Sequence, residues 1–150
     1  MDVKEPAAGA AAIRDRLRQL TLRQQRFERY LGRRLGVDPA GLAVMDHLVN
    51  IGPATPSELA RSLSASTAAM TLVIDRLATG GHVTREPHPT DRRKVIVTPA
   101  GHWEEAAYQY VEPLIRGVAE ATAAMTPEER AAVAGFLERM AAAYDGATAP

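Results

Sequence analysis

Apolar residues recur at steps of three and four in three long stretches of this chain. Ile13, Leu17, Leu20, Phe27, Leu31 and Leu35, with Gln24 between them, line one stripe and predict an amphipathic helix over 13–35 that stops at Gly36. Trp103, Ala107, Tyr110, Leu114, Val118 and Ala121 make a second stripe, in which Pro113 is predicted to kink the helix because its nitrogen carries no donor. Val133, Phe136, Leu137, Met140 and Tyr144 make a third.

Between the first and second stripes the periods are short, and there and ahead of the third stripe the helix starts are written in cap chemistry. Asp38-Pro39, Thr55-Pro56, Thr98-Pro99 and Thr126-Pro127 each pair a side-chain oxygen, able to accept an orphan backbone N–H, with a proline that lacks one. Glu58 and Glu129 follow their threonines by three residues and complete capping boxes. Helices are therefore predicted from Pro39 to about Ile51, from Pro56 to Leu63, and from the cap Ser66 to Thr79. In the last, Met70, Val73, Ile74 and Leu77 face inward, which leaves Thr67, Ala68, Thr71, Leu72 and Asp75 outward. His82–Glu86 and Lys94–Thr98 read as two short strands around the loop P-H-P-T-D-R-R. A new helix is expected directly after Thr98.

The fold class is thus mainly α with a small two-stranded β wing: a winged helix-turn-helix at 38–98, flanked by a helical dimerisation region at 13–35 and 99–145. Residues 1–12, with their Ala/Gly run, and 146–150 have the composition of disordered tails. Three terminal stripes exceed what one small winged domain can cover, and a two-fold related copy is the commonest way to cover them.

Composition narrows the chemistry. The absence of cysteine excludes disulfides, thiolate metal sites, a cysteine nucleophile and thiol redox sensing. No run approaches the roughly 18 apolar residues of a membrane span, and no signal peptide is legible, so a cytoplasmic location is expected. A net charge of zero hides a strong asymmetry. Residues 14–34 carry eight Arg against Asp15 and Glu28, a net of +6, and residues 61–98 carry a net of +3. Residues 99–150 return −5. A basic front on a neutral chain suits a phosphate-facing surface.

The outward face of the Ser66 helix and the basic loop end, Asp91-Arg92-Arg93-Lys94, belong to the element pair that enters DNA grooves in winged helix-turn-helix proteins. Read together, S-T-A-A-M-T-L-V-I-D-R-L-A-T-G-G-H-V-T-R at 66–85 and T-D-R-R-K-V-I-V-T-P-A-G at 90–101 resemble the recognition helix and wing of the MarR family of bacterial regulators. The resemblance implies a homodimeric repressor on a pseudo-palindromic double-stranded operator. It makes Arg93 a minor-groove reader, Asp91 its orienting partner, and Arg92 and Lys94 phosphate contacts. It also implies a pocket for a small aromatic or phenolic ligand, with Met45, His47, Trp103, Tyr108 and Tyr110 as candidate lining. One departure is visible: Leu72 stands where many relatives carry Arg or another polar base reader, and only Arg76, at the edge of the face, has a long hydrogen-bonding side chain. Direct readout by Ser66, Thr67, Ala68, Thr71, Leu72 and Arg76 is accordingly expected to be sparse, with groove shape supplying the rest.

Other classes fare worse. No G-x-S-x-G, phosphate-cradling Gly loop or H-E-x-x-H occurs, so an enzyme is not expected, and no cofactor is implied. His47, His82, His88 and His102 match no ligand spacing, which leaves a metal-responsive regulator, with no metal site assigned, as a weak alternative. The other alternative is a winged-helix protein-interaction module that no longer binds DNA specifically.

Overall fold

The computed structural model describes residues 8–148. Six helices and a two-stranded antiparallel sheet follow in the order α1 (Ala10–Leu35), α2 (Pro39–Asn50), α3 (Pro56–Ser62), α4 (Thr67–Thr79), β1 (Val83–Pro87), β2 (Val95–Pro99), α5 (Trp103–Ala123) and α6 (Pro127–Thr148). They fall into two compact units, one ending at Ala107 and one starting at Tyr108.

In the first unit the cap signals act as the sequence suggests. Asp38 accepts the Gly41 N–H at 2.7 Å, and Ser66 accepts the Ala69 N–H at 3.1 Å. Thr55 and Glu58 close the capping box in both directions, at 3.2 and 2.7 Å. Each satisfies donors that the first helical turn leaves orphaned. Leu59 of α3, Val44, Met45 and Leu48 of α2, and Ile74 and Leu77 of α4 then pack into one core with Val83 and Val97 of the sheet and Trp103. The turn between α3 and α4 places Ser64 at φ 51°, in the left-handed region that favours glycine.

The sheet pairs Val83 with Pro99 through to Pro87 with Val95, one residue later at each strand than the sequence pattern predicts. Ala54, between α2 and α3, adds a bridge to Val97, with N–H to O distances of 3.2 and 2.8 Å. Gly52-Pro53 reads in sequence as a mere helix stop, and a single-residue bridge has no period to detect.

Three expectations need correction. Thr98-Pro99 does not start a helix. Both residues belong to β2, where the Thr98 hydroxyl pairs with that of Thr84 at 2.7 Å, and α5 begins at Trp103 after a turn. The cross-strand partner competes with the cap role, and the Ala100 N–H goes to the His82 carbonyl at 2.9 Å. Of the predicted N-terminal tail, residues 1–7 lie outside the described residues, but Ala10–Ala12 are helical. At the other end α6 runs on through Gly146 to Thr148, into the predicted C-terminal tail. Alanine, abundant at both ends, has the highest helix propensity, and it extends a helix that is already nucleated. Helix α5 continues past Pro113 to Ala123.

In the second unit, the rest of α5 and all of α6 hold no buried residue. Leu114, Ile115, Val118, Val133, Leu137 and Tyr144 are exposed on the single chain. Helix α1 likewise buries only Gly32.

Candidate nucleic-acid interface

The candidate recognition element is α4, and its orientation is set by three devices. The Met70, Val73, Ile74 and Leu77 face is buried in the core, as the period predicts. Asp75 pairs with Arg85 of β1, which ties the middle of α4 to the wing. Arg76 pairs with Asp38 at 2.8 Å, which ties the same helix to the first turn of α2. Exposed pairs of this kind contribute little stability each, but they fix direction.

The second pair involves one of the expected base readers. Arg76, expected among the DNA contacts, is engaged in bracing α2. Thr67, Ala68, Thr71 and Leu72 remain on the exposed face, with Leu72 61% exposed. Thr71 spends its hydroxyl proton on the Thr67 carbonyl at 2.9 Å, which leaves its oxygen as an acceptor. Ser66 is the helix cap, its oxygen already accepting the Ala69 N–H.

The wing tip is a tight turn. The Lys94 N–H reaches the Asp91 carbonyl at 2.9 Å, which puts Arg92 and Arg93 at the two central positions of a β-turn, both exposed. One Asp91 oxygen accepts the Arg93 backbone N–H at 3.1 Å, and the other lies 4.0 Å from the Lys94 ammonium. The expected grip of this carboxylate on an arginine fork is therefore replaced by a grip on the main chain. An aspartate at the first position of a turn reaches the N–H two residues on more readily than a side-chain end. The turn is completed by His88: its Nδ1 accepts the backbone N–H groups of Thr90 and Asp91, both at 3.2 Å. In the sequence His88 is only one of four histidines; the P-H-P context is the signal that it belongs to a fixed turn.

The candidate effector-pocket residues divide. Met45 and Trp103 are buried parts of the core, Trp103 meeting the His82 ring edge-on at 5.2 Å. Burial pushes the His82 imidazole below its ordinary range, and the neighbouring His102 adds to this. His47 lies 3.1 Å, through Nδ1, from the Ser62 hydroxyl of α3. Tyr108 is exposed and Tyr110 half-buried, both in the second unit. Among the described residues, no group of three His, Asp or Glu side chains is placed to hold a metal ion.

The family model for the MarR family matches residues 37–95, which span α2, α3, α4 and the wing through its basic turn. The chain belongs to the MarR family. A curated relative, the HTH-type transcriptional regulator YcgE of Bacillus subtilis, is 34% identical over 105 residues, covering 70% of this chain and 66% of that protein. The chain thus spans slightly less than two thirds of that relative's length. Wild-type apo MarR from E. coli is 28% identical, with a TM-score of 0.54, over 82% of this chain and 93% of that one. A cysteine-to-serine mutant of E. coli MarR complexed with operator DNA is 25% identical, with the same TM-score, over 91% of this chain and 99% of that one. No described helix is long and apolar enough to cross a membrane.

Proposed function

We propose that this MarR-family chain is a homodimeric, sequence-specific DNA-binding regulator, acting in the cytoplasm as a repressor that a small aromatic or phenolic ligand releases from its operator. The observation that carries the reading is the pairing, on one compact unit, of a braced helix with an exposed face and a β-turn that presents Arg92 and Arg93. Thr67, Ala68, Thr71 and Leu72 enter a major groove, where Leu72 meets thymine methyls and Thr71 accepts from a base amino group. Arg93 enters the flanking minor groove, while Arg92, Lys94 and the Ser66 hydroxyl hold phosphates. A second copy covers the apolar stripes of α1, α5 and α6, and sets two α4 helices on half-sites about 34 Å apart. A ligand acts by favouring a spacing of the two α4 helices that misfits the operator, and DNA opposes the ligand by the same factor.

The test is binding of the purified protein to a fluorescent duplex from its own upstream intergenic region, at two salt concentrations, with random duplex as competitor. Tight, salt-sensitive binding that random DNA does not displace is expected. Equal displacement by any duplex would remove the claim of specificity, and sedimentation as a monomer would remove the dimer.

A further inference from the structure

We infer that His88 is a positioning residue whose neutral imidazole holds the wing turn that presents Arg93, so that protonating it loosens the turn and lowers sequence-specific DNA binding. This rests on the proposed DNA-binding role of the wing.

The geometry fixes the tautomer. Two of the groups that meet Nδ1 are backbone N–H groups, those of Thr90 and Asp91 at 3.2 Å, and a backbone N–H can only donate. Nδ1 must therefore offer its lone pair, and the ring proton of the neutral imidazole sits on Nε2. The Thr90 hydroxyl approaches the same atom at 3.3 Å. From its own main chain, His88 donates its N–H to the Lys94 carbonyl at 3.0 Å, closing the base of the turn. One residue thus anchors both ends of the segment in which Arg92 and Arg93 sit.

Protonation puts a hydrogen on Nδ1, facing two main-chain donors and a hydroxyl. The two N–H groups lose their acceptor and the ring repels them. The charged groups around the imidazole are Glu58 of α3, on which both His88 and Lys94 act electrostatically, and Asp91, Arg92, Arg93 and Lys94 of the turn. The imidazolium also attracts phosphates, which strengthens binding to any duplex. Turn opening therefore shows in the ratio of operator to random-duplex affinity, where the general attraction cancels, and not in affinity alone.

The experiment follows that ratio in the full-length protein at about pH 8 and about pH 5.5, the span in which imidazoles titrate. Wild type, His88→Asn and His88→Ala are compared. Asparagine carries an acceptor oxygen at the same branch position as Nδ1 and does not titrate in this range. Wild type is expected to lose about ten-fold in the ratio on acidification, the effect of about two lost hydrogen bonds. His88→Asn should hold the high ratio at both values and His88→Ala a low one at both. A titration in His88→Asn matching wild type, or a His88→Ala ratio equal to wild type at the higher value, overturns the inference. In parallel, the Thr90 and Asp91 amide resonances of the DNA-free protein should shift with the His88 ring in wild type and stay still in His88→Asn. Amides that ignore the ring overturn the turn-holding role; absence of operator preference in every variant at every pH, with amides that do follow it, instead removes the DNA-binding role beneath it.

Discussion

Asp38 serves two helices at once: one carboxylate oxygen accepts the Gly41 N–H at 2.7 Å and caps α2, while the other holds the Arg76 guanidinium of α4 at 2.8 Å. The two roles differ in weight. An N-cap is worth about 1 kcal/mol, whereas an ion pair this exposed is worth at most a few tenths after solvent screening. Asp38→Ala should therefore lower unfolding free energy by about 1 kcal/mol, and Arg76→Ala and Asp38→Asn by much less, since asparagine caps as well as aspartate. Urea unfolding separates them; equal losses in Asp38→Ala and Arg76→Ala would mean that the ion pair carries the effect.

Gly41 itself is constrained. A Cβ there would lie 2.7 Å from Val37 Cγ1 and 3.0 Å from both Asp38 Oδ1 and Leu77 Cδ2. In an open helical position Gly→Ala gains up to about 1 kcal/mol. Here overpacking costs about 1–3 kcal/mol and also disturbs the Asp38 cap, so Gly41→Ala is expected to destabilise. A higher urea midpoint for the variant would show that Val37 and Leu77 yield freely.

Glu58 gives an acid-side prediction. Its hydrogen bonds from the Thr55 backbone N–H and the Thr55 hydroxyl region hold the carboxyl below its ordinary value, with smaller help from His88 and Lys94. A depressed folded-state value means that the carboxylate contributes stability above its unfolded pKa, about 4.3, and that this is lost as pH falls through the folded value. Glu58→Gln keeps an acceptor for the Thr55 N–H and does not titrate. Its stability should therefore fall less steeply than that of wild type between about pH 5 and pH 3. Parallel urea midpoints across that range would count against the capping box as the source.

The elements that were legible in sequence are those whose signal is local. Ser66, Thr55 and Asp38 announce helix starts because a cap needs only its own next three residues, and Met70, Val73, Ile74 and Leu77 show their burial by period alone. Thr98-Pro99 carries the same local signal and misleads, because Thr84, 14 residues away, claims the hydroxyl. The Ala54 bridge to Val97, the Arg76 link to Asp38 and the Asp75 link to Arg85 are tertiary pairings with no sequence period. The basic tip was visible as Asp91-Arg92-Arg93-Lys94, but the way Asp91 and His88 share the turn's backbone donors depends on a conformation that spacing does not specify.

That division sharpens the prediction for DNA reading. With Arg76 drawn to Asp38, the exposed face of α4 offers the hydroxyls of Thr67 and Thr71 and the aliphatic side chains of Ala68 and Leu72, and none of these can make the bidentate contacts that discriminate bases most strongly. Arg93, exposed at the centre of the wing turn, has no side-chain partner among the described residues to release before it binds. Arg93→Ala should therefore reduce the operator-to-random affinity ratio by about ten-fold, near the lower end of what one good groove contact contributes, with the urea midpoint unchanged. Leu72→Ala and Thr71→Ala should each reduce it less, by roughly three-fold, because a methyl contact or a single hydrogen bond is weaker. The double variant Thr71→Ala with Leu72→Ala tests whether the two act independently, in which case their effects multiply. If α4 substitutions abolish operator preference while Arg93→Ala leaves it intact, sequence is read in the major groove and the wing serves phosphate attraction alone.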